Sequence, residues 1–133
     1  MADLVFFYGT LMAPFNRRER LHIDPSLTWV GHGRIAATLF DLGIYPAAVP
    51  SGEYLVRGEV HRMEHPVQVL RALDELEGYR PSEPESSLYT RELITVELES
   101  GETVTAWAYF YNAPLGRAER IASGDYLEYL KIR

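Results

Sequence analysis

The sequence predicts an α+β domain, a small mixed but mostly antiparallel β-barrel with one main helix packed against it. Three observations carry that expectation. Short runs rich in β-branched and aromatic residues dominate the chain. A single helical period, from Pro66 to Gly78, interrupts them. Ser100-Gly101 separates two alternating runs as a hairpin turn. A sheet made this way curls on itself and leaves the helix to cover it.

Leu4 to Tyr8 (Leu-Val-Phe-Phe-Tyr) is continuously apolar and short, as a buried strand is, and Gly9-Thr10 stops it. Asn16 to Leu21 has the makings of a helical turn with Asn16 as its cap. Leu27 to Leu42 mixes β-branched and aromatic residues with Gly31 and Gly33, which suits a bent or bulged strand. Gly43 to Pro50 holds two prolines and reads as a loop, because proline cannot donate to a ladder. Tyr54 to Met63 reads as a strand. In the helix that follows, Pro66 is acceptable in the first turn and Gly78 is a natural residue just past the end. Arg80 to Ser87 is polar, carries two prolines and reads as an exposed loop. Leu88 to Glu99 and Thr103 to Asn112 alternate cleanly on either side of the turn, and the tail from Ile121 has room for one short helix.

The length of 133 residues is that of one domain spanning 1–133. Apolar residues make up 47% and charged residues 24%, an ordinary globular balance. Nine tyrosines favour strands and a pocket or interface with polar-tipped walls. The net charge of −6 argues against binding nucleic acid, which needs a clustered positive surface. Arg17, Arg18 and Arg20 do cluster, but Glu19 interrupts them and a solvated helix face is expected. With no cysteine, thiolate catalysis and cysteine-based zinc sites are excluded. The N-terminus does not read as a signal peptide, and no apolar run approaches the length of a membrane span. A cytoplasmic protein is the default expectation.

One carboxylate stands out. At about 100° per residue, Val69, Leu70, Leu73 and Leu76 share an apolar arc, and Glu77 falls between Leu70 and Leu73 on it. Glu75 projects from the opposite side. A carboxylate aimed at a core must be hydrogen-bonded, paired or neutralised, and enzymes use such surroundings to raise its pKa. The alternative is that the last helical turn lets Glu77 bend outward to water. His61-Arg-Met-Glu-His65 matches a reversed zinc-protease pattern, but Pro66 disfavours helical geometry at His65, so no metal is expected. His22 and His32 read as surface histidines. A paired-carboxylate glycosidase is a weak reading, since Glu75 points away from Glu77. Tyr8-Gly9-Thr10-Leu11 ends a buried strand in a glycine turn, whose backbone N–H groups suit a carboxylate or oxyanion.

Tyr-Gly-Thr-Leu after the first strand, Asp-Leu-Gly-x-Tyr-Pro at Asp41 to Pro46, Leu-Asp-Glu-Leu-Glu-Gly-Tyr at Leu73 to Tyr79 and Tyr-x-Arg at Tyr89 to Arg91 occur in that order. Ser123-Gly-Asp-Tyr126 follows in the tail. The ordered set resembles the gamma-glutamylcyclotransferase-like superfamily, and is closest to its gamma-glutamylamine cyclotransferase branch. The resemblance implies the family's small mixed barrel. It also implies cleavage of a gamma-glutamyl amide by the substrate's own α-amine, releasing 5-oxo-L-proline and a free amine. Glu77 would be the general acid and base, and Tyr8, Gly9, Thr10 and Leu11 would hold the glutamyl moiety. The partner is then a small gamma-glutamyl substrate, with no cofactor, nucleic acid or membrane.

Tyr89 and Arg91 alternate onto one strand face, where they line the pocket unless Arg91 pairs with an acidic neighbour, the role isolated arginines favour. Tyr109 and Tyr111 share a face with Trp107 and either border the site or pack a core or interface; the oligomeric state is left open. A different class of function also fits the motifs: a binding module that holds 5-oxoproline, glutamate or another small carboxylate without turnover. Glu77 favours the enzyme, because carboxylate binding gains nothing from a nearby negative charge.

Overall fold

The computed structural model describes residues 2–12, 22–43 and 45–131. In chain order these hold β1 Leu4–Phe7, β2 Leu27–Asp41, β3 Pro46–Met63, α1 Pro66–Glu77, β4 Tyr89–Leu98, β5 Thr103–Tyr111, β6 Glu119–Arg120 and α2 Tyr126–Lys131. Five strands close into a barrel in the order β3-β1-β5-β4-β2, with β2 returning to β3, and β6 adds to β2 outside that ring. Every pairing is antiparallel except β1 with β5, which run parallel and meet at Val5 and Trp107. The mixed barrel with one main helix is therefore the fold.

The long β2 and β3 pair from Leu27↔Met63 to Asp41↔Pro46, with breaks in register at Trp29/Gly31 and Ala36/Ala37. At the second break the partner of β2 jumps from Leu55 to Pro50, so Ser51 to Tyr54 are extra and the ribbon bends. Here the expectation of a loop over Gly43 to Pro50 is corrected. Strand β3 already begins at Pro46. Proline is tolerated because Pro46 opens the strand and Pro50 stands at the register break, where a missing N–H costs little.

Strand β1 is buried at all four positions, as its unbroken apolar run requires. Val5, Phe6, Ile35, Leu39, Val56, Val60 and Val96 fill the barrel with essentially no exposure, and α1 sets Val69, Leu70 and Leu73 against it. Complete burial of a side chain such as Leu73 contributes about 2 kcal/mol. Pro66 opens α1, and Gly78 closes it in the left-handed conformation (φ 68°), with its N–H on the carbonyls of Asp74 and Glu75. Glu77 is thereby held as the last helical residue. Gly33 and Gly58 face one another across β2 and β3, and a side chain on Gly58 would strike the Phe7 carbonyl and the Phe6 ring.

The β4–β5 hairpin runs in register from Tyr89↔Tyr111 to Glu97↔Thr103, as the alternation predicted. His61 lies inside β3 and His65 at the start of α1, so the two histidines share no helix face. The expected turn at Asn16 to Leu21, with Arg17, Arg18 and Arg20, lies outside the described residues. Among the described residues no helix is long and apolar enough to cross a membrane.

Candidate active site

The chain leaves β1 at Phe7 and turns through Tyr8-Gly9-Thr10-Leu11, with the Met12 N–H closing the turn on the Gly9 carbonyl at 3.0 Å. Gly9 packs so near Pro46 that a β-carbon there would lie 2.8 Å from its ring, which is a reason for glycine in the turn. Beside the turn is a cavity of about 110 Å³. Tyr8 to Leu11 form one wall, Leu76 and Glu77 reach in from the end of α1, and Tyr89 and Tyr109 arrive from the barrel. Phe6, Phe7, Tyr45, Pro46 and Leu88 complete the lining.

The three tyrosines are tightly held. The Tyr8 hydroxyl donates to the Tyr109 carbonyl at 2.7 Å and accepts from the Ala48 N–H at 3.3 Å. The Tyr89 hydroxyl donates to the Pro46 carbonyl at 3.1 Å. The Tyr109 hydroxyl donates to Asp74 Oδ1 at 2.6 Å. Burial pushes all three phenols far above their ordinary range, and the negative charge of Glu77 raises each further. Glu77 is half-buried, whereas Glu75 is exposed, as the helical arc predicted.

Asp74, one turn before Glu77, is 8% exposed. Arg91 approaches it with Nε 2.9 Å from Oδ1. That N–H is poorly aimed, and the directional hydrogen bond comes from Nη2 to Oδ2 at 3.2 Å. The guanidinium also lies over the rings of Trp107 (4.5 Å) and Tyr79 (5.6 Å).

Tyr8, Gly9, Thr10, Leu11, Glu77, Tyr89 and Tyr109 therefore share one cavity. Of the alternatives the sequence offered, Arg91 takes the pairing with an acidic neighbour and Tyr111 takes packing, and neither is among the residues lining this cavity. Arg91 turns to Asp74 and Trp107, and Tyr111 packs edge-on against Tyr89 with ring centroids 5.3 Å apart. Sequence reasoning missed Asp74 as a buried anchor and Pro46 as a wall. The signal for Asp74 was present: it follows Leu70 by four residues and adjoins Leu73, on the buried side of the helix.

Residues 5–128 match the family described as Gamma-glutamyl cyclotransferase, AIG2-like. The chain belongs to that family. It is 38% identical over 131 residues to the gamma-glutamylcyclotransferase family protein YtfP of Escherichia coli K12, covering 93% of this chain and 96% of that one. The solution structure of Escherichia coli YtfP aligns at TM-score 0.68 and 29% identity, over 95% of this chain and 97% of that one. YkqA of Bacillus subtilis aligns in its crystal structure at TM-score 0.72 and 25% identity. There the cyclotransferase-family chain is covered over 99% of its length but spans only 42% of the longer YkqA. Family membership supports a cyclotransferase-type role for the chain.

Proposed function

We propose that the protein cleaves a small gamma-glutamyl amine or gamma-glutamyl amino acid, with Glu77 as general base and acid, to give 5-oxo-L-proline and a free amine. The observation that carries this reading is the meeting of Glu77 with the Tyr8 to Leu11 turn in one cavity. The nucleophile is the substrate's own α-amine, so neither serine nor cysteine is required. The amine nitrogen attacks the γ-carbonyl carbon and the C–N bond of the five-membered ring forms. Glu77 takes the proton that the nitrogen sheds, then returns it to the leaving nitrogen as the amide C–N bond breaks. Intramolecular attack supplies an effective molarity of about 10⁵ M or more once the chain is folded into reach. The carboxylate contributes a further ~10²–10⁴-fold as general acid and base.

The backbone N–H groups of the turn suit the substrate's α-carboxylate or the developing oxyanion. Leu88, 41% exposed while lining the cavity, is where the leaving group meets solvent. The test is 5-oxoproline release from a panel of gamma-glutamyl amines and dipeptides, and the best leaving group names the substrate class. Binding of 5-oxoproline with no release from any member would support the non-catalytic binding module instead.

A further inference from the structure

The cavity is polarised. Tyr8, Tyr89 and Tyr109 each direct their hydroxyl hydrogen to a protein oxygen: the Tyr109 carbonyl, the Pro46 carbonyl and Asp74 Oδ1. A phenol whose one hydrogen is engaged offers a ligand only its lone pairs. Glu77, beside them, is also an acceptor when ionised. Among the described residues no lysine, arginine or histidine lines this space. The Gly9 to Leu11 turn lines the same cavity, and its backbone supplies the N–H groups that suit an anionic ligand. Of the three phenols, Tyr109 alone is held by a charge. Its 2.6 Å bond runs to a carboxylate that Arg91 in turn pairs, and Arg91 is stacked on Trp107. Charge-assisted bonds of this kind are the strong ones.

We infer that Asp74 is a positioning residue: with Arg91 it draws the Tyr109 hydroxyl hydrogen out of the cavity, leaving the Tyr109 oxygen as a fixed acceptor for the substrate's α-amine beside Glu77. The inference rests on the cyclotransferase reading above. An amine that gives one N–H to Tyr109 and another to Glu77 has its nitrogen lone pair oriented, and Glu77 is where its proton leaves. The same acceptor wall repels the α-carboxylate and sends it to the turn. Burial and the bond to the Asp74 carboxylate keep Tyr109 protonated, so the arrangement persists through neutral pH.

The experiment compares two ligands in a Glu77→Gln background, where turnover is expected to be slow: gamma-glutamylmethylamide and its des-amino analogue, glutaric acid monomethylamide. Affinities are read by calorimetric titration. Tyr109→Phe, which deletes one oxygen, is expected to weaken the amine ligand by about tenfold or more, the scale of a hydrogen bond to a charged group, and to leave the analogue nearly unchanged. Asp74→Asn is expected to produce the same selective loss, and none in a Tyr109→Phe background. Equal weakening of both ligands, or of neither, in Tyr109→Phe overturns the inference while sparing the cyclotransferase reading. If Asp74→Asn fails to fold, the Tyr109→Phe arm still decides. Binding of neither ligand by any variant, with no 5-oxoproline released by the wild type, overturns both.

Discussion

Replacing Arg91 with methionine keeps much of the side chain's bulk against Trp107 but removes the cation that faces Asp74. The two partners are 17% and 12% exposed, so little water can take over the charge. Deleting one partner of a buried pair costs about 3–5 kcal/mol, most of it the penalty of stranding the other. Asp74 keeps the 2.6 Å bond from Tyr109, which places the expected loss near the lower end, about 3 kcal/mol. At ~2.1 cal/mol/K per residue, a chain of 133 residues loses about 11 °C in Tm for that change. Urea unfolding of wild type and Arg91→Met measures it, with the m-value checked for constancy. The double variant Asp74→Asn/Arg91→Met strands no charge and is expected to recover part of the loss. A loss below about 1 kcal/mol, the scale of an exposed ion pair, would refute the reasoning that this pair is a buried anchor.

Three further outcomes follow from the same structure. Unfolded tyrosines ionise near pH ~10, while Tyr8, Tyr89 and Tyr109 are pushed well above that in the fold. Their stabilisation is complete below pH ~10 and declines as pH rises further, by about 4 kcal/mol per pH unit for three such groups; phenolate absorbance from all nine tyrosines before unfolding would contradict it. Gly58→Ala puts a β-carbon 2.6 Å from the Phe6 ring and against the Phe7 carbonyl, just before the turn. It should cost about 1–3 kcal/mol in denaturant melts and raise KM. In the proposed reaction the proton carrier is a carboxylate and the nucleophile belongs to the substrate, so turnover should survive chelators. Activity lost on chelation and restored by a divalent cation would count against that account.

The legible parts of the molecule were those set by local rules. The period of α1 and its Gly78 stop placed Glu77 on the inner arc at the end of the helix, which is where it meets the cavity. The β4–β5 alternation and its glycine turn carried their own register. Harder to read were features decided by distant partners. Pro46 and Pro50 look like loop residues until β2 supplies a strand start and a register break to receive them. Asp74 looks like a surface aspartate until Tyr109 and Arg91 arrive from neighbouring strands to bond it. Closure of the barrel depends on β1 lying between β3 and β5, and four apolar residues say nothing about which neighbours they choose.

The most direct test is 5-oxoproline release by wild type against Glu77→Gln, with thermal-shift binding of 5-oxoproline run in parallel. The account predicts equimolar 5-oxoproline and amine from the wild type. The variant should still fold and bind 5-oxoproline, with turnover lowered by at least ~10²-fold. A Glu77→Gln protein that turns over as fast as the wild type would contradict the central claim.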